Sequence, residues 1–146
     1  MTALPAAGWP EPEQGWPHWL ATVPYAASQH PLAREPLPIA QGANCQRYAY
    51  AVLAAFGRQV PPHRSSELWA EDLEHPAAAQ PFDLALFNAD DESWGAHVAV
   101  VMGDDELLHL CAEEGRPVVW RWADFASRER YRTLVGLVRP AAARVP

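Results

Sequence analysis

Gly42-Ala43-Asn44-Cys45-Gln46-Arg47-Tyr48 is the stretch around which the chain is organised. Asparagine is a strong helix N-cap, because its side-chain oxygen accepts a bond from a backbone N–H that the first turn leaves unpaired. Behind Asn44, the apolar residues Cys45, Tyr48, Ala49, Val52 and Phe56 recur at helical spacing and Gly57 supplies a stop. The spacing predicts a helix over 45–56. Cys45 then sits in its first turn. A thiol there meets free N–H groups and the positive end of the helix dipole, which lower its pKa and favour a nucleophilic thiolate. The competing reading is a small buried residue, since free cysteine is among the most buried types.

Upstream the chain is rich in proline. Trp16 to Tyr25 carries enough apolar residues to dock as a short helix or turn, and residues 26–41, with Pro31, Pro36 and Pro38, read as an irregular lead-in. Downstream, Ser65 or Ser66 opens a second short helix to Leu73, with Leu68, Trp69 and Leu73 inward. From Phe82 the apolar period changes to two. Strands are predicted at 82–87, 97–102, 107–111, 117–122 and 133–138, with turns at Gly103–Glu106 and Gly115. Asp124 is read as the cap of a short helix running to about Arg130. Helices first, then short strands joined by tight turns, predict an α+β fold: N-terminal helices packed on an antiparallel sheet of about five strands. The expected division is a Pro-rich lead-in over 1–40, packed on a domain over 41–146.

The 146 residues suit one domain with a real core. A net charge of −7 argues against a general nucleic-acid or anionic-membrane surface. Arg128, Arg130 and Arg132 alternate with Glu129 and Tyr131 and read as a solvated face. Cys45 and Cys111 are too few for a disulfide framework, and paired CxxC zinc motifs are absent. No stretch approaches the length of a membrane span. No basic n-region precedes an apolar run at the N-terminus, which predicts a cytoplasmic protein or one exported by a non-standard route.

Cysteine-dependent acyl transfer needs a thiolate, a histidine that holds and returns its proton, and a third polar group that fixes the imidazole tautomer. Cys45, His97 at the start of one strand and His109 on the next supply these types. His97 and His109 share a sheet face only if the hairpin loop has an odd number of residues, such as Gly103 to Asp105 or Asp104 to Glu106. The odd loop is expected; a two-residue loop would separate them. Each histidine has a structural reading too, His97 as a strand-end residue and His109 as a core residue between leucines. His18, His30, His63 and His75 lie in Pro-rich or polar surroundings and receive no role.

These residues resemble the NlpC-type family of papain-like cell-wall peptidases. In that family a helix-starting cysteine precedes a strand beginning His-Val, and a second histidine follows twelve residues on. His97-Val98 and Leu108-His109-Leu110 have that twelve-residue spacing. Phe82-Asp83-Leu84-Ala85-Leu86-Phe87 resembles the family's strand before the first histidine, and the tail ending Gly136-Leu137-Val138-Arg139 also fits. The resemblance covers roughly residues 40–139. It implies a half-papain fold and a triad in which Cys45 is the nucleophile, His97 the base and acid, and His109 the orienting group. It further implies hydrolysis of a bacterial cell-wall stem peptide at the bond from the D-glutamate side chain to a diamino acid, with no metal or organic cofactor. Tyr25, Asn44, Gln46 and Trp94 are the candidate substrate contacts. The family's Asp-Cys-Ser-Gly is here Asn44-Cys45-Gln46-Arg47.

Several rivals remain at this stage. An amidase of the related cysteine-histidine amidohydrolase type would draw its third residue from Glu113 or Glu114. An acyltransferase would pass the thioester to an amine or alcohol. Cys45, His97 and His109 are also a plausible zinc set. A catalytically inactive binding module on the same fold is the non-enzymatic alternative. Cys111 reads as a buried thiol.

Overall fold

Asn44 caps the first helix in the way its sequence requires. Its backbone is extended, and its Oδ1 accepts the Arg47 N–H at 2.9 Å. The computed structural model describes residues 4–70 and 73–141. Helix α1 spans Cys45–Ala55 and α2 spans Ser65–Ala70. Strands β1 (Leu84–Asn88), β2 (His97–Gly103), β3 (Glu106–Cys111) and β4 (Arg116–Trp120) follow. Helix α3 (Trp122–Ala126), a 3-10 turn at Glu129–Tyr131 and β5 (Thr133–Val138) complete the order. The fold is α+β, as the sequence predicts. Among the described residues, no helix is long and apolar enough to cross a membrane.

The strands form one sheet in the order β4-β3-β2-β1-β5, every neighbouring pair antiparallel. Alternation sends each strand's side chains to two different cores. Leu84, Leu86, Val98, Val100, Leu108 and Leu110 face one way, against Tyr48, Ala49, Val52 and Leu53 of α1. Ala85, Phe87, Ala99, Val101, Leu107 and Trp120 face the other, under Phe125 of α3 and Tyr131. With both faces covered, β2 is buried along its length except at Gly103. The lead-in adds Trp9, Leu20 and Val23 to the α1 side, and Tyr48 donates its hydroxyl to the Leu20 carbonyl at 2.5 Å.

The hairpin between β2 and β3 departs from the sequence expectation. Gly103 pairs with Glu106, so the loop is the two-residue Asp104-Asp105 turn. By itself that turn would put His97 and His109 on opposite faces. The register shifts between Val101 and Gly103, which places an extra residue, Met102, in β2. A bulge of one residue reverses the parity again. The two histidines therefore share a face, by a bulge rather than by an odd loop.

Several boundaries also differ. The first strand opens at Leu84, not at Phe82, because Phe82 adopts φ +75° and turns the chain off the strand. Helix α2 ends at Ala70; residues 71 and 72 lie outside the described residues, and Leu73 is not helical. Strand β4 stops at Trp120, since Trp122 opens α3. Asp124 is the third residue of α3 rather than its cap: it accepts the backbone N–H of the N-cap Arg121 at 2.8 Å. The helix then ends at Ala126, short of Arg130.

One ion pair ties β5 to the chain before β1. Asp83, whose side chain is 1% exposed, takes Arg139 Nε at 2.8 Å on Oδ1 and Nη2 at 2.9 Å on Oδ2. Asp83 also accepts the Gln80 N–H, and Arg139 reaches Glu74 and the Ala78 carbonyl.

Candidate active site

Helix α1 and strand β2 begin at the same place. Cys45 and His97, their first residues, line one cavity of about 120 Å³, together with Tyr25, Gln46 and Tyr131. The Asn44 cap binds Arg47 N–H and leaves the N–H groups of Cys45 and Gln46 free of it. Those two, with the N–H of Val98 from β2, act on the Cys45 thiol.

His97 is fixed from behind. Its Nε2 lies 2.8 Å from His109 Nδ1, the rings nearly perpendicular at 81°. His109 is fully buried, with Trp120 and Phe125 at ring distances of 4.5 and 4.8 Å. The single hydrogen bond couples the two tautomers. If His97 is to accept a proton at Nδ1, its own proton is on Nε2 and is donated to a bare His109 Nδ1. The His109 proton then sits on Nε2, a buried nitrogen without a hydrogen-bond partner. Closely packed indole and phenyl rings flank the His109 ring, an environment that hosts a neutral imidazole and no charged one.

The electrostatics overturn the expectation of a depressed thiol pKa. Burial pushes Cys45 up; the N–H groups of Val98 and Gln46, and then the Arg130 charge, oppose it without prevailing. Burial, with Arg130 second, pushes His97 down to about 3. Burial, then His97 and Arg128, holds His109 well below the ordinary imidazole value. At neutral pH the ground state is a neutral thiol beside two neutral imidazoles. Among the described residues, no hydrogen bond joins Cys45 Sγ to His97. The helix start is present as read, but desolvation of a 7% exposed side chain outweighs it.

Alkylation should report this directly. Only the thiolate reacts, so a raised pKa moves the rate profile of Cys45 to higher pH. Its midpoint is expected above the free-thiol value of about 8.5. Rates of iodoacetamide labelling across a pH series, with Cys45→Ser as control, measure it. A midpoint below that of a free thiol would mean a preformed thiolate–imidazolium pair and would overturn this reading of the ground state.

The other candidates fall in distinct places. Tyr25, Asn44 and Gln46 line the cavity. Asn44 is occupied with the cap and with Gln46, to which its Nδ2 donates at 3.4 Å. Trp94 does not line the Cys45 cavity. It is 75% exposed and borders a neighbouring one with Arg64, Ser65, Ser66 and Gly95. Glu113 pairs with Arg128 at 3.1 Å, and Glu114 accepts from Trp120 Nε1 at 3.2 Å. Neither glutamate lines the cavity, and the position behind His97 belongs to His109. Cys111 is a buried free thiol whose sulfur accepts the Glu114 N–H at 3.4 Å. Among the described residues, no group of three His, Cys, Asp or Glu side chains is arranged to hold a metal ion. The facing histidine nitrogens are bonded to each other instead.

Sequence reading missed three contributors. Gln29 Oε1 accepts from Leu37 N–H at 2.8 Å and from Arg47 Nη1 at 3.0 Å, which fastens the lead-in to the first turn of α1. Arg64 and Arg130 line the Cys45 cavity. Arg130 is exposed, as its reading as part of a solvated face requires, but the side it occupies is the mouth of the site.

A helix-starting cysteine over a five-strand antiparallel sheet, with a histidine pair on β2 and β3, defines an NlpC/P60-type fold. Solved structures share it, among them the following two. NlpC1 from Trichomonas vaginalis matches with a TM-score of 0.57 and 13% identity, over 82% of this chain and 39% of that one. An NlpC/P60 family protein from Bacillus cereus matches with a TM-score of 0.53 and 19% identity, over 68% and 32%. The chain thus spans well under half the length of either neighbour. No protein-family model matches the sequence, and no curated protein does.

Proposed function

We propose that the chain is a cysteine hydrolase that cleaves the amide bond from the D-glutamate side chain to a diamino acid in bacterial cell-wall stem peptides. The observation that carries this reading is the 2.8 Å bond between His97 Nε2 and His109 Nδ1 behind a cavity that Cys45 and His97 both line. His109 holds His97 in the tautomer whose Nδ1 is free to accept a proton. As Cys45 Sγ attacks the carbonyl carbon, the thiol proton passes to that nitrogen. The carbonyl oxygen takes up the negative charge, and the Cys45 N–H is one donor to it. His97 then returns the proton to the amide nitrogen, the C–N bond breaks and the amine leaves. Water, losing a proton to His97, cleaves the thioester and restores the thiol. No metal or organic cofactor enters these steps.

The buried, neutral Cys45 favours one rival, a binding module on the same fold. Incubation of metal-free protein with a stem peptide that carries the γ-D-glutamyl–diamino acid bond separates the two. Release of the free diamino acid by the wild type, and none by Cys45→Ser, is the expected result. Binding of the intact peptide by both proteins, without cleavage by either, would overturn the hydrolase and establish the binding module.

A further inference from the structure

The Cys45 cavity carries a charge opposite to that of the molecule. The chain has 18 acidic against 11 basic side chains. The charged residues that line the cavity are nevertheless two arginines, Arg64 and Arg130, and no Asp or Glu. They come from separate places, the entry to α2 and the 3-10 turn before β5. Several other arginines are occupied. Arg128 pairs with Glu113, Arg139 with Asp83 and Glu74, Arg47 binds Gln29, and Arg132 donates to the Ala89 carbonyl. Among the described residues, neither Arg64 nor Arg130 forms an ion pair. The Arg130 guanidinium lies 5.6 Å from the centre of the Tyr131 ring, at the cavity wall. Its charge acts on Cys45, and both charges act on the Tyr25 phenol, which lines the same cavity.

Two unpaired guanidiniums at the mouth of a small cleft raise the local concentration of anions and repel cations. Guanidinium also matches a carboxylate in geometry as well as charge, through paired N–H donors. We propose that Arg64 and Arg130 make this cleft selective for substrates with a free carboxylate close to the carbonyl that Cys45 attacks. The selectivity rests on the hydrolase reading for its reaction, but the charge of the cleft can be measured without any hydrolysis. Arg64 also borders the neighbouring cavity with Trp94, so its side chain marks the junction of the two.

Two alkylating reagents of nearly the same size supply the test. Iodoacetate carries the carboxylate and iodoacetamide a neutral amide in its place. The ratio of their rates at Cys45, divided by the same ratio for a small free thiol in the same buffer, cancels the thiolate fraction. At low salt this quotient is expected to exceed one by on the order of tenfold, and to fall towards one in high salt. Arg64→Gln and Arg130→Gln should each lower it. Arg34→Gln, which changes an exposed arginine outside the cavity, should leave it unchanged. Both cavity arginines are exposed, and an unchanged urea midpoint shows that each variant keeps its fold; Arg130→Gln also slows iodoacetamide, because its charge favours the Cys45 thiolate, and the quotient cancels that change. A quotient near one, or one that neither variant moves, would overturn the proposal. With the stem peptide, amidation of the glutamate carboxylate should cut turnover in the wild type. Equal turnover of the acid and the amide would overturn the carboxylate selectivity and leave the hydrolase standing. A high quotient without hydrolysis of either peptide would do the reverse.

Discussion

His97→Ala and Cys45→Ala should each lower kcat on the stem peptide by on the order of 10⁴-fold or more, and the double variant should be no worse than either alone. The reason is that the two residues share one proton. In the ground state the thiol is neutral and the imidazole, held near 3, is neutral too. Nucleophile and base are therefore created in the same step, and neither helps without the other. His109 acts one bond further away and should show a graded response. His109→Leu removes the acceptor for His97 Nε2 and frees the ring to rotate, with an expected loss of about 10²–10⁴-fold. His109→Asn keeps an acceptor in that place and should recover part of it. KM should move little in all of these, because none of the three holds the remote parts of the peptide. Release of the free amine, followed over a range of peptide concentrations, gives both constants. Losses that multiply in the Cys45–His97 double variant would show two independent contributions and sink the shared-proton step. A fully active His109→Leu would remove the second histidine from the chemistry.

The local parts of this architecture were legible in the sequence. Asn44 followed by apolar residues at helical spacing marks the start of α1, and the observed cap uses the Arg47 N–H. The short apolar run at Thr133–Val138, ended by Pro140, is local too, and β5 has those bounds. The NlpC-type likeness, resting on a cysteine and two spaced histidines, anticipated the fold that the solved neighbours share. What depended on tertiary context was not legible. The Met102 bulge exists only in the pairing of β2 with β3, and no turn residue announces it. The positive φ of Phe82 follows from the turn that delivers Asp83 to Arg139, a residue 56 positions later. The direction of the Cys45 shift depends on how completely the first turn is covered, while the dipole that opposes burial can be read from four residues. Arg64 and Arg130 lie far apart in the chain, and only the folded cleft brings them to one cavity.

Loss of the Asp83–Arg139 pair should cost the fold a large part of its stability. Asp83→Ala is expected to lower the free energy of unfolding by about 3 kcal/mol, at the lower end for a broken buried pair. The low end applies because the guanidinium left behind is partly exposed and keeps Glu74 and the Ala78 carbonyl. Arg139→Met should be worse, since it strands a carboxylate that is 1% exposed, with Gln80 N–H as its remaining donor. Glu74→Ala should be nearly silent, because that carboxylate is 62% exposed and its attraction is screened. Urea unfolding of the four proteins orders them. A loss under about 1 kcal/mol for Asp83→Ala would place the pair among ordinary surface bridges and sink this account. The double variant Asp83→Leu, Arg139→Met tests the cause rather than the size. If the penalty comes from an orphaned charge, removing both charges should restore part of what Arg139→Met alone loses. If it comes instead from geometry at the join of β1 and β5, the double variant should be worse than either single one. Neither Asp83 nor Arg139 lines the Cys45 cavity. Turnover per folded molecule should therefore stay at the wild-type level in Asp83→Ala, which separates its effect from that of His97→Ala.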